Sequence, residues 1–166
     1  QDCRPYLPRT SNATEETRLL TKEKIEEAKS LNSNKYYPFR NGTKGFDHLE
    51  EDIEYLDELG LDVYRFSISW ARLFPNGVEE VPSPEGVAYY DRVFNLLAEK
   101  GIKIFLTLNH YAMPIYLVEQ YGGWKGRECI EHFMRFATFV FERWGNLVEY
   151  WLPFNEINAG YFSPYN

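Results

Sequence analysis

Three apolar runs of strand character recur along the chain: "LDVYRFSISW" (61–70), "IKIFLTLNH" (102–110) and "VEYWLPFNEIN" (148–158). Each is rich in aromatic and β-branched residues, and each follows a segment with apolar residues three or four apart. Leu49, Ile53, Leu56 and Leu59 mark the first such helix, which Gly60 stops. The second, "SPEGVAYYDRVFNLLAEKG" (83–101), opens with a Ser83 cap and Pro84 at the first helical position. Its apolar face runs through Val87, Tyr90, Phe94 and Leu97, and Gly101 closes it. The third carries Ile130, Phe133, Ala137, Val140 and Trp144 on one face and ends at Gly145. Helix and strand alternating in this way predict βαβ units, an α/β chain with a parallel sheet. Parallel strands are covered on both faces, which accounts for the nearly continuous apolar runs.

Strand starts at 61, 102 and 148 leave room for a helix and a substantial loop in each crossover. Three strands cannot close a barrel, and an open three-stranded sheet has two unprotected edges. A complete (β/α)8 barrel takes roughly 250 residues, and this chain has 166. The expected architecture is a partial (β/α)8 TIM barrel over 46–166, incomplete at both ends. Residues 1–45 are polar and irregular, with Pro5, Pro8 and Pro38. They read as a long loop holding one short exposed helix, "TKEKIEEAKS" (21–30), capped by Thr21, its charges on a solvated face.

Composition removes whole classes of function. At 44% hydrophobic the chain is too apolar for disorder, and its net charge of −7 argues against nucleic-acid or anionic-membrane partners. No apolar run is long enough to span a bilayer. Cys3 and Cys129 are too few for a disulfide framework and read as spare thiols in a reducing compartment. Asn12-Ala-Thr and Asn41-Gly-Thr have the form of glycosylation sites, which have meaning only in a secreted chain, and read as chance polar sequence. His48, His110 and His132 are dispersed, with no zinc-type spacing, so neither metal nor cofactor is expected.

The polar residues at the strand ends carry the chemistry. Alternation along "YRFSISW" sets Tyr64, Phe66, Ile68 and Trp70 on one face and Arg65, Ser67 and Ser69 on the other. With the apolar set against helices, Arg65 points into the barrel and requires a carboxylate or phosphate partner, the alternative being an edge-strand arginine that reaches solvent. The second strand ends in Asn109-His110-Tyr111 and the third in Asn155-Glu156. Taken singly, His110 reads as a structural hydrogen-bonder, and Asn155-Glu156 reads equally as a cap for a following helix. Together they place hydroxyl-binding groups at the carboxyl ends of consecutive parallel strands, the face where barrel enzymes act.

Four motifs, "YRFSISWARLFPNG" (64–77), "LNHYAMP" (108–114), "YGGW" (121–124) and "WLPFNEIN" (151–158), together resemble family 1 of the glycoside hydrolases, in its order and spacing. The resemblance covers about 46 to 166, most of this chain and about the front third of a complete member. It implies a retaining β-glycosidase in a (β/α)8 barrel, with this chain supplying strands two, three and four. By position, Glu156 matches the general acid/base, Asn155 the ligand of the sugar 2-hydroxyl and His110 a ligand of ring hydroxyls. Tyr111 falls beside His110 among the substrate-binding residues, and Arg65 matches the arginine that pairs with the nucleophile. That nucleophile belongs to a later Glu-Asn-Gly strand end, and no candidate follows Glu156 here. The expectation is therefore a chain that does not turn over substrate by itself.

"NEIN", "HYAMP", "QDCRPYLPRT" and "KYYPFR" resemble the bacterial 6-phospho-β-glucosidase branch. This implies a cytoplasmic enzyme of carbohydrate catabolism whose partner is a small, phosphorylated sugar such as cellobiose 6-phosphate. Oligomeric state is not legible in the sequence. Ala112 stands where the family commonly has an acidic residue, "GFDHLEEDI" lacks its usual Tyr-His-Arg-Tyr, and Pro153 replaces a threonine. Proline removes a ladder donor and argues against a central strand unless a bulge intervenes. The alternatives are an inactive sugar-binding relative, a β-glucosidase acting on unphosphorylated sugar, or an unrelated nucleotide-binding α/β domain. The last requires a glycine-rich turn after a strand, and "SWARLFPNG" has one glycine.

Overall fold

The computed structural model describes residues 21–30, 32–40 and 42–158. The readings made of "QDCRPYLPRT", Cys3, Asn12 and Asn41 lie outside these residues. The described elements are α1 (Lys22–Lys29), a 3-10 turn (Pro38–Arg40), α2 (Leu49–Glu58), β1 (Val63–Ser67) and α3 (Trp70–Leu73). They continue with α4 (Pro84–Glu99), β2 (Lys103–Asn109), α5 (Ile115–Tyr121), a second 3-10 turn (Gly123–Lys125), α6 (Glu128–Trp144) and β3 (Val148–Phe154).

The three strands form one parallel sheet in the order β1-β2-β3. Val63 aligns with Lys103 and Ser67 with Thr107 across β1 and β2. β1 is shorter than its apolar run, because the chain turns into α3 at Trp70. Only Ile68 prolongs the pairing, its N–H donating to the Thr107 carbonyl at 3.1 Å.

Pro153 sits inside β3, and two features of the ladder accommodate it. The register slips between Ile104 and Phe105, which pair with Val148 and Tyr150 and leave Glu149 as an extra residue. The Thr107 carbonyl is turned toward β1 and accepts from Ile68, so it asks nothing of position 153. The proline therefore forfeits no bond to β2.

The core lies between the sheet and its helices. Ile104, Leu106 and Leu108 of β2 alternate toward it, meeting Phe94 and Leu97 of α4 and Phe136 and Val140 of α6 in one cluster. Phe94 stacks on Trp144 with ring centroids 5.0 Å apart, and Phe136 stacks on Trp70 at 5.5 Å. The Ser83 hydroxyl caps α4 by accepting from the Gly86 N–H at 3.3 Å. Gly86 is fixed by packing, since a Cβ there would lie 2.2 Å from the Arg72 carbonyl oxygen. Gly101 ends the same helix with φ of 69°, the left-handed turn that favours glycine.

Three sequence expectations change in the structure. Leu59 is 72% exposed, because α2 ends at Glu58 and the residue swings off the buried face. Ile130 is also exposed, in the first turn of α6. The short helix α1 does have a charged outer face and a Thr21 cap, but it is docked rather than free. Ile25 and Ala28 are buried, and Lys29 pairs with Glu119 of α5 at 3.1 Å. Among the described residues no helix is long and apolar enough to cross a membrane.

Asp91 fastens α4 to α6. Its Oδ1 accepts from Arg143 Nε at 3.1 Å and from Trp144 Nε1 at 2.9 Å, and its Oδ2 accepts from Arg143 Nη2 at 2.6 Å. The Arg143 bond, with help from Trp144, holds the Asp91 carboxyl below the usual aspartate range. A lowered folded-state pKa gives stability that is present above the unfolded value, about 3.9, and lost as pH falls through the folded one. Asp91→Asn is expected to cost about 1 kcal/mol in urea titrations at pH 7, at the low end because the pair is partly solvated. The deficit should shrink toward zero in titrations below pH 3. A deficit that persists there would mean the carboxylate charge is not its source.

Candidate active site

All the residues singled out at strand ends lie on one edge of the sheet, at the carboxyl ends of β2 and β3, with Arg65 reaching across from β1. The join begins at Asn109, the last residue of β2 and 4% exposed. Its Oδ1 accepts from the Tyr111 N–H at 3.1 Å and its Nδ2 donates to the Ala112 carbonyl at 3.0 Å. Its own carbonyl accepts from the Asn155 N–H at 2.9 Å. One asparagine thus shapes the turn after β2 and ties it to the end of β3.

That turn is strained. Tyr111 has φ of 67° and Glu156 φ of 42°, both left-handed without being glycine. Such residues cost of order 1–3 kcal/mol each and persist where neighbouring bonds dictate them. Here the dictating bonds are those of Asn109. The outcome is that the side chains of two different strand ends meet.

The meeting is a directed series of hydrogen bonds. Arg65 Nε donates to Thr107 Oγ1 at 3.1 Å and Arg65 Nη2 donates to Asn155 Oδ1 at 2.6 Å. Asn155 Nδ2 donates to Tyr111 Oη at 2.8 Å, and the Tyr111 hydroxyl donates to Glu156 Oε2. Partial burial, then the bond to Glu156, raise the Tyr111 phenol above its ordinary value, against a smaller opposing pull from Asn155. Tyr111 is accordingly a protonated donor throughout the neutral range.

The structure brings Arg65, Tyr111, Asn155 and Glu156 into one series. His110 stands beside it, half-buried, its ring perpendicular to that of Tyr111 with centroids 5.1 Å apart. His110 also lines a cavity of about 500 Å³, together with Arg65, Thr107, Tyr64, Tyr89 and Asp52. Glu156 is not on that lining and is exposed.

Two expectations differ from what is seen. Arg65 was expected to be enclosed with an anion. It is exposed on an edge strand, and among the described residues its partners are a hydroxyl and an amide oxygen. Solvent at the open sheet face removes the need for a countercharge. Glu156 was expected at an enclosed apolar strand end, and the three described strands leave it open to water. The sequence reading missed Thr107 and the clamping role of Asn109. Thr107 is wholly buried, and the signal was present as the one hydroxyl inside "IFLTL". Elsewhere, His132 Nδ1 is buried with no hydrogen-bond partner among the described residues, its ring lying against Tyr121 at 5.7 Å.

Comparison with known proteins shows the family. Residues 31–166 match the family described as glycosyl hydrolase family 1. The chain is 40% identical to the 6-phospho-beta-glucosidase AscB of Escherichia coli, covering 91% of this chain and 32% of that protein. It is 46% identical to the phospho-cellobiase of Klebsiella oxytoca over 69% of this chain and 25% of that one. A solved rice beta-glucosidase, Os3BGlu6 in a covalent complex with Glc, superposes with a TM-score of 0.66 at 34% identity. That superposition covers 70% of this chain and 24% of the rice chain. The chain therefore spans a third or less of the length of these relatives. Its parallel three-stranded sheet is part of a TIM barrel, and the chain belongs to glycosyl hydrolase family 1.

Proposed function

We propose that this chain is the acid/base-bearing part of a retaining β-glycosidase that hydrolyses 6-phospho-β-glucosides. The observation that carries the reading is the series from Arg65 through Asn155 and Tyr111 to Glu156 at the carboxyl ends of parallel strands. In this reading Glu156 protonates the leaving glycosidic oxygen and later takes a proton from water. Asn155 binds the sugar 2-hydroxyl, a contact that strengthens as the transition state forms. His110 binds ring hydroxyls from the cavity side. Arg65 awaits the nucleophile, a second carboxylate about 5–5.5 Å from the first in retaining enzymes. Support for the covalent route comes from the rice relative, a covalent complex with Glc. Support for a phosphorylated sugar comes from the relatives named as a 6-phospho-beta-glucosidase and a phospho-cellobiase.

Because Arg65 pairs with no carboxylate among the described residues, the 166-residue chain alone is expected to give no turnover. Turnover by that chain, abolished by Glu156→Gln, would refute the assignment of Arg65 to a nucleophile it lacks. In a full-length protein carrying the chain, nitrophenyl glucoside 6-phosphate should be hydrolysed with higher kcat/KM than the plain glucoside. The reverse preference would overturn the phospho reading and leave the glycosidase reading standing.

A further inference from the structure

We infer that Tyr111 is a positioning residue which selects the oxygen of Glu156 that carries the transferable proton. This deepens the reading given under Proposed function and rests on it. Donors and acceptors alternate in a fixed order along the series. A guanidinium only donates, so Arg65 Nη2 fixes Asn155 with Oδ1 toward it. The Asn155 amide is then obliged to turn Nδ2, which also only donates, toward the tyrosine. With one lone pair of Oη occupied, the single O–H of Tyr111 is directed to Glu156 Oε2. Every orientation in the series is thus set by the one group that cannot accept.

The consequence falls on Glu156. In its acid form the carboxyl group holds one proton, and an oxygen already accepting from Tyr111 is the poorer place for it. The proton resides on Oε1, and Oε2 remains the acceptor. When the glycosidic oxygen leaves, Oε1 delivers the proton, and Oε2 of the resulting carboxylate still accepts from Tyr111. The Tyr111 proton itself never leaves its oxygen. The strain at both residues supports the assignment, because φ of 67° at Tyr111 and 42° at Glu156 is what lets their side chains meet. The Asn109 clamp holds that strain in place through Tyr111 N–H and the Ala112 carbonyl. A tyrosine placed only to line a sugar pocket needs neither the clamp nor the donor direction.

The test uses the full-length protein carrying this chain, with Tyr111→Phe, which removes one oxygen and preserves the ring. Hydrolysis of aryl glucoside 6-phosphates is measured across leaving groups from dinitrophenol to unsubstituted phenol, with Glu156→Gln alongside. Tyr111→Phe is expected to lower kcat/KM about tenfold on the phenyl substrate, with less than a twofold change on the dinitrophenyl substrate. A loss equal across leaving groups, or no loss, overturns the inference, since a structural role acts on all substrates alike. If Glu156→Gln is itself without effect, the acid/base reading falls and takes this inference with it. Glu156→Gln sensitivity with Tyr111→Phe indifference overturns the inference alone. Circular dichroism melts of Tyr111→Phe matching the parent exclude misfolding as the source of a graded loss.

Discussion

On the proposed acid/base role, Glu156→Gln in a full-length protein carrying this chain is expected to lower kcat/KM on a phenyl glucoside 6-phosphate by about 10²–10⁴-fold, the usual yield of a positioned general acid. Glutamine keeps the shape of the side chain and still offers a carbonyl oxygen to the Tyr111 hydroxyl, so the bond seen to Glu156 Oε2 has a replacement. What it cannot do is release a proton. The alkoxide or phenoxide then departs unassisted, and the rate comes to depend steeply on how acidic the leaving group is. On a dinitrophenyl substrate the first step needs no proton, so the deficit there should narrow toward the slow hydrolysis of the glycosyl-enzyme. A uniform deficit, or none, would remove Glu156 from the acid/base role. The comparison is read on kcat/KM, since KM falls wherever the glycosyl-enzyme accumulates.

Phe136→Ala will lower the unfolding free energy by about 3–5 kcal/mol, the range for deleting a fully buried phenylalanine ring. Phe136 is 0% exposed. Its ring stacks on Trp70 at 5.5 Å, meets Phe74 edge-on at 6.4 Å and lies 5.9 Å from Phe133. No neighbour among these can fill the space without leaving its own contacts, because Trp70 and Phe74 are themselves almost wholly buried. The loss should appear as a shifted urea midpoint with an unchanged slope. The site should feel it as well. Phe133 packs on Phe154 at 5.0 Å, and Phe154 immediately precedes Asn155 and Glu156. A displacement near 1 Å there costs catalysis on the order of 100-fold. A variant with native stability would show that the aromatic layer repacks freely, and the core would need redrawing.

The outline of the fold was legible because its signals are local. Ser83 caps and Gly101 stops α4 by geometry that involves a few neighbouring residues. The alternation of helical and strand periods fixes a parallel sheet with little help from tertiary contacts. Where the reading failed, the deciding quantity was distant. Leu59 and Ile130 satisfy the helical spacing and yet are exposed, since periodicity says which face they share and not how far the neighbouring layer extends. Pro153 looked like an obstacle to a strand, and the direction of the Thr107 carbonyl, set by Ile68 of another strand, removes it.

The same division runs through the site. From sequence alone came the residue types at the strand ends, Arg65, Asn155 and Glu156, because carboxylates, amides and guanidinium groups in apolar runs stand out against their surroundings. Sequence also gave the side of the sheet on which they gather, since strand direction and period 2 are local properties. Only the tertiary structure decided that the Asn109 side chain clamps two strand ends, that Tyr111 and Glu156 are both held left-handed, and that a tyrosine hydroxyl joins the amide to the acid. Hydrogen bonds between residues 44 and 45 positions apart have no trace in local pattern. They exist because β2 and β3 are neighbours, and that adjacency is a property of the packed sheet.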